Sequence, residues 1–135
     1  MISASEIDNA FPEIEHGIIP LGGRVLVQLR TVREKTKSGI VLVEDSRDFN
    51  KTATQLGKVV ALGPLAYCSR NTGAKWPEGS WVEPGDLVRV PRYGGDRMEL
   101  DIPNTNDTAI FVLLGDHEIF AKIDPQVFEK IDQIL

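Results

Sequence analysis

The side chains able to do chemistry are few and far apart. His16 and His117 are the two histidines, and Cys68 is the lone cysteine. A catalytic zinc site usually takes three protein ligands, so this set would need help from carboxylates elsewhere. His16 sits in a polar leader and His117 follows Gly115-Asp116 at a predicted turn. Solvent-exposed turn histidines are the simpler reading of both. Cys68 precedes Ser69-Arg70, and a guanidinium close to the sulfur would favour a reactive thiolate; an inert thiol is the simpler reading. Gly22-Gly23 and Gly94-Gly95 are doublets suited to turns, not phosphate-cradling loops. The strings G-x-S-x-G, H-E-x-x-H and G-x-x-x-x-G-K-[ST] do not occur. Carboxylates are plentiful, but sequence does not tell which two would face each other across a cleft. No enzymatic constellation assembles, so the expectation is a protein without a catalytic site, metal or cofactor of its own.

Binding to nucleic acid is the next chemistry to weigh, since small barrels often hold single strands with aromatics set between basic residues. Arg92, Tyr93 and Arg97 form a weak version of that pattern, and Arg70, Lys75 and Trp76 another. Against it stand a formal net charge of −5 and an aromatic content of only 7 %. A duplex binder needs a basic face to displace counterions. Apolar residues make up 41 % and charged ones 26 % of the 135 residues, which suits one folded domain. One cysteine cannot form an internal disulfide, and a reducing cytoplasm is the plain expectation. The first seventeen residues are acidic with no apolar core, unlike a secretion signal, and no stretch is long enough to cross a membrane.

The elements that would position these residues read as strands. In RVLVQLR, residues 24–30, Val25, Val27 and Leu29 alternate with mostly polar neighbours, the period of a half-buried strand. GKVVALGP, residues 57–64, is β-branched and closed by Gly-Pro. WVEPGDLVRVPRYGG, residues 81–95, holds a Pro-Gly-Asp turn and then the strand LVRV, with Trp81 expected to start a strand and pack inward. TAIFVLL, residues 108–114, is apolar on both faces. HEIFAKI, residues 117–123, reads as a closing strand with Ile119, Ala121 and Ile123 on one face. In the tail 124–135, Asp124 suits an N-cap, Pro125 the first helical position, and Val127, Phe128, Ile131, Ile134 and Leu135 fall at helical spacing. The fold expected is all-β: a small, partly open barrel over residues 18–123, preceded by a polar leader (1–17) and followed by a short amphipathic helix. Two segments exceed ordinary connections, 33–56 and 65–80, and loops of that length usually have a function or are disordered.

The first of these holds KTKSGIVLVEDS, residues 35–46, in which Ile40, Val41, Leu42 and Val43 interrupt a run of charge. A short apolar run is by itself most often a strand; an exposed contact motif is the other reading. The order of strings along the chain decides between them. IIPLGGRVLVQL, KTKSGIVLVEDS, GKVVALGP, WVEPGDLVRVPRYGG and HEIFAKI resemble, in order and rough spacing, the opening strand, mobile loop, following strand, Gly-Asp turn with its tyrosine-glycine segment, and closing strand of the GroES-type co-chaperonins. Three departures stand out. Gly23 occupies a place where the family usually has Asp, only Gly39 precedes the apolar tripeptide where two glycines are common, and residues 43–56 and 65–80 are enlarged.

The resemblance implies a partly open barrel with a mobile loop (33–56), a roof hairpin (65–80) and assembly into a seven-subunit dome on a GroEL-type chaperonin, enclosing unfolded client protein. It implies chaperonin contact through Gly39, Ile40, Val41 and Leu42. It implies a subunit interface pairing 24–30 with 118–123 of a neighbour, through Arg24, Val25, Val27, Ile119, Ala121 and Ile123. Trp76 falls in the roof, and Tyr93 faces the enclosed cavity or acts as a turn tyrosine. ATP would be bound by the partner chaperonin, not by this chain. A phage-encoded member of the family would fit the remodelled loops. The alternative from the residues alone is a single-strand nucleic-acid module or a small hydrolase.

Overall fold

A computed structural model describes residues 11–30, 54–91, 93–105 and 108–127 of the chain. Six antiparallel strands form one sheet: β1 (Arg24–Leu29), β2 (Thr54–Leu62), β3 (Leu87–Pro91), β4 (Asp96–Asp101), β5 (Thr108–Gly115) and β6 (Ala121–Ile123), in the spatial order β4-β5-β1-β2-β3-β6. The sheet wraps a main core of Val25, Val27, Leu29, Val59, Tyr67, Val82, Val88, Val90, Val112 and Leu114. Its end strands β4 and β6 are not paired with each other, which gives the partly open, GroES-like barrel.

Local sequence explains most of the elements. In β1 the odd positions Val25, Val27 and Leu29 enter the main core, while Leu26 and Gln28 point to the other face and are buried there too. β5 behaves alike, with Ile110, Val112 and Leu114 toward the main core and Ala109, Phe111 and Leu113 opposite. The two-faced hydrophobicity of TAIFVLL therefore reflects a strand covered on both sides. Between β1 and β2 the register slips at Leu26/Val27, opposite Ala61 and Val59; such a bulge bends and twists the pair. Gly57 lies so close to Val27 that a Cβ there would overlap Val27 Cγ1. The Glu83–Asp86 turn has Gly85 at φ +100° and Asp86 N donating to Glu83 O at 3.1 Å. Pro84 and Gly85 suit the two central places of a type II turn. Asp86 Oδ2 also accepts from Glu83 N at 2.8 Å.

Several expectations change. β2 begins at Thr54, so residues 54–56, assigned above to the loop, are strand paired with Pro91, Val90 and Arg89. DRMELD forms β4, an element the sequence reading lacks. It is charged at every exposed position, and its half-buried residues are Arg97, Met98 and Leu100, so it carries little strand signal; charge of this kind suits an edge. HEIFAKI is not one strand: Asp116–Glu118 is a 3-10 turn and only Ala121–Ile123 pairs, with β3. Ile119, Ala121 and Ile123 consequently differ in environment, buried, exposed and half-buried in turn. Trp81 starts no strand. It lies in a bend on the surface, and Val82 packs inward in its place.

The expected pairing of 24–30 with a neighbour meets a constraint in the sheet. β1 is bonded to β5 along one edge and to β2 along the other. It has no free edge for a neighbour's closing strand, and Val25 and Val27 are fully buried within this chain. An internal strand cannot join a second sheet without giving up one of its own partners.

The ends of the described chain are also ordered. Asp124 caps the next turn, its Oδ1 accepting from Gln126 N and its carbonyl from Val127 N, both at 2.8 Å. Residues 125–127 are helical; 128–135 of the expected helix lie outside the described residues. At the end of the leader, residues 11–18 lie against the second face of the sheet. Phe11 is buried, and Pro12, Ile14, His16 and Ile18 face in while Glu13, Glu15 and Gly17 face out.

Candidate functional site

The expected chaperonin contact, Gly39, Ile40, Val41 and Leu42, lies outside the described residues. Its mounting is visible. Leu29 pairs with Gly57 at the end of the β1–β2 ladder, and Arg30 N donates to Leu56 O at 3.2 Å. Residues 29–30 and 56–57, on either side of this segment, are thus held together by the β1–β2 ladder.

A second exposed surface lies along β6. Among the described residues no strand pairs with its outer edge, since the sheet ends there. Phe120 is 60 % exposed, and a shallow groove of about 260 Å³ runs between Trp81, Val82, Ile119, Phe120, Ala121 and Lys122. Far along the chain, Ile19 and Leu21 are 79 % and 68 % exposed. Single exposed apolar residues are ordinary, but large ones gathered beside an open strand edge mark an interaction surface.

Asp116 is one of several groups that fix residues 65–80 to the barrel. Asp116 is buried, and its Oδ2 accepts from Tyr67 N at 2.8 Å and from Arg70 Nη2 at 3.1 Å. Its own backbone N–H donates to Gly23 O at 3.0 Å. His117 Nδ1 stands 3.6 Å from Asp116 Oδ1. Burial pushes the Asp116 carboxyl up, but the Tyr67 amide, the Arg70 guanidinium and His117 outweigh it and hold it below the usual carboxylate range. Arg70 Nη1 also donates to the carbonyls of Leu65 and Cys68, at 2.9 and 3.0 Å. The guanidinium lies over Gly23, where any Cβ would overlap it. Glycine at this position, where the family usually carries Asp, leaves room for Arg70 to reach Asp116.

Above this clamp stand three rings. Tyr67, Trp76 and Trp81 have all pairwise centroid distances at 5.4 Å, within the favourable range for aromatic pairs. Trp81 Nε1 donates to Glu78 Oε2 at 3.2 Å. Tyr67 takes φ +59°, an uncommon conformation for a non-glycine residue, and its backbone N–H thereby meets Asp116. Burial, then the Asp116 charge, push its hydroxyl up to about 12. Trp76 is half-buried against the main core, so it anchors the roof rather than lying open on it. Tyr93 is 59 % exposed.

The chemistry weighed from the sequence does not converge here. Among the described residues, no three His, Cys, Asp or Glu side chains come together to hold a metal ion. Cys68 is buried, with Sγ 3.6 Å from Ala66 O, and Arg70 meets its carbonyl and not its sulfur. His117 is exposed. His16 is not: it is half-buried against Phe111, rings 5.1 Å apart, and its Nδ1 accepts from Ile18 N at 2.9 Å. In the nucleic-acid reading, Arg70 is taken by Asp116, Arg97 bonds Gln55 Oε1 and Pro91 O at 3.2 and 3.3 Å, and Arg92 lies outside the described residues. Sequence reasoning missed Asp116, for which the only signal was an acidic residue in a turn, and the inward alternation of residues 12–18. Among the described residues no helix is long and apolar enough to cross a membrane.

A small, partly open barrel of antiparallel strands defines the class of fold. Comparison with known proteins gives the class its name. The family model of the chaperonin 10 Kd subunit, Cpn10, matches residues 17–123, and the chain belongs to that family. It is similar to the co-chaperonin GroES of Lactobacillus helveticus, 40 % identical over 82 residues that span 61 % of this chain and 79 % of that protein. The mitochondrial 10 kDa heat shock protein of Saccharomyces cerevisiae is 37 % identical over 106 residues, 78 % of this chain and 88 % of that one. GroES of Thermus thermophilus is 34 % identical over 109 residues, 81 % and 94 % of the two chains.

Proposed function

We propose that this chain is a co-chaperonin subunit that assembles head-to-tail into a ring of seven and caps a GroEL-type chaperonin during its ATP cycle, enclosing client protein. The observation that carries the reading is the family match running unbroken from before β1 to the end of β6. Chaperonin contact falls to Ile40, Val41 and Leu42 with Gly39 as hinge, on the insert tethered between β1 and β2. Burying each apolar side chain in a groove contributes about 1.5–3 kcal/mol at most, and ordering the segment costs about 2–5 kcal/mol. One loop therefore binds weakly, whereas seven on one ring bind with high effective concentration and still release together. Nucleotide belongs to the partner chaperonin. The ring interface uses the open edge of β6, Ala121–Ile123, with Phe120 beside it, and takes the neighbour's extended segment carrying Ile19 and Leu21; Arg24 lies exposed close by. This replaces β1 as the partner strand.

The test is a chaperonin ATPase and co-sedimentation assay with the full chain, a GroEL-type chaperonin and ATP. Wild type should co-sediment and change the ATPase rate. The variant Ile40→Ser/Val41→Ser/Leu42→Ser should lose both effects while native mass measurement still finds the ring. No binding by wild type sinks the reading, and a triple variant that cannot fold would make 40–42 core.

A further inference from the structure

Family resemblance begins at residue 17, yet the chain ahead of it is firmly packed. Phe11 is buried, and Gln28, a buried polar residue in the middle of β1, donates from Nε2 to Pro12 O at 2.8 Å. Ile14 and Ile18 lie on the cluster of Leu26, Ala109 and Phe111, and the His16 ring packs on Phe111. Residues 12–18 belong to no strand. Side chains supply the contacts that seat them, so single substitutions can release them without breaking the sheet.

Directly after this stretch the chain turns. Gly17 takes φ +66°, and His16 Nδ1 accepts from Ile18 N at 2.9 Å across the corner. Ile19 and Leu21 follow at once, 79 % and 68 % exposed. The corner sets where those two side chains point. A segment that must be ordered as it docks loses conformational freedom at every interface, and one held in place beforehand does not.

We propose that residues 11–18 are a strap that presents Ile19 and Leu21 to the next copy of this chain, so that ring stability is controlled from outside the family domain. The proposal rests on the ring reading above. His16 and Phe11 are positioning residues: neither touches the neighbour, and each acts through the path of residues 17–21. The strap also lies over Leu26, Ala109 and Phe111 on the second face of β1 and β5.

The experiment follows ring dissociation of full-length protein on dilution, by mass photometry and analytical ultracentrifugation, for wild type, Phe11→Ala, Phe11→Leu and His16→Phe. Phe at position 16 keeps an aromatic ring beside Phe111 and removes the acceptor for Ile18 N. Phe11→Ala and His16→Phe should shift the dissociation midpoint to at least about tenfold higher subunit concentration, while Phe11→Leu stays near wild type. Urea unfolding of the dissociated subunits, read by tryptophan fluorescence, should remain cooperative for all four. Folded Phe11→Ala and His16→Phe subunits that dissociate at the wild-type midpoint would overturn the strap while leaving the ring reading intact. Wild type that never forms a ring would overturn both. Should Phe11→Ala not fold, His16→Phe decides the matter, since it leaves the buried Phe11 site whole.

Discussion

Asp116 joins three parts of the chain through one side chain and one amide: Tyr67 and Arg70 of the roof by its carboxylate, and Gly23 at the start of β1 by its N–H. Removing its charge leaves Arg70 without its carboxylate and weakens the bond to Tyr67. Asp116→Asn should lower stability at pH 7 by about 1–3 kcal/mol, read from urea midpoints. The pH dependence has a definite sign. The folded carboxyl is held below the usual carboxylate range, so its stabilisation is complete above the unfolded value and is lost as pH falls through the folded one. The gap between wild type and Asp116→Asn should therefore be full near neutrality and close in strong acid. An equal gap at about pH 2 and pH 7 would count against the clamp. Little of this was legible in the sequence. An acidic residue after glycine reads as a turn, and nothing local tells that Arg70, far back in the chain, will reach it. Gly23 is an instructive contrast. Its departure from the family pattern was visible at once, and only the position of Arg70 explains it.

At the scale of elements, hydrophobic period carried the reading where a strand is long and internal. β1, β2, β3 and β5 follow from alternating or β-branched runs and their Gly/Pro boundaries. It failed at the edges. β4 carries charge at its exposed positions because one edge and one face meet solvent, so its strand character comes from pairing Asp96–Asp101 with Thr108–Leu113. In HEIFAKI the period-two face was drawn across a 3-10 turn, and β6 shrank to three residues. Gly57 tests how closely the elements fit. The β1–β2 approach leaves no room for a side chain there, so Gly57→Ala should destabilise by about 1–3 kcal/mol through overpacking against Val27. Chemical denaturation would show this as a lower midpoint at unchanged slope. A neutral substitution would mean that the ladder at the root of the loop yields more readily than its packing implies.

For the whole molecule the question is which strand edge meets the neighbour. Phe120 N donates to Arg89 O at 3.0 Å, so the backbone of Arg89 faces β6, and its register partner Ala121, like Ile123 opposite Leu87, faces β3 while the amide of Lys122 faces outward. Lys122→Pro removes one outward donor and no bond to β3, a place where an edge strand tolerates proline. On the ring reading it should abolish the heptamer in native mass spectra and leave subunit unfolding nearly unchanged. A proline variant that still forms the ring would exclude this edge.

What the sequence determined by itself was the existence of β1, β2, β3 and β5, the turn at Glu83–Asp86, the cap at Asp124 and the family, because these depend on local periodicity, on backbone preferences of Gly and Pro, and on strings a few residues long. Tertiary structure alone decided that β1 is internal, that β6 offers the open edge, that His16 and Phe11 bind a strap to the second face, and that Asp116 helps hold the roof. Each of those depends on which distant segments share a hydrogen-bonding edge or a buried carboxylate. A strand's own residues define its two faces, but only its neighbours determine whether its edges are free.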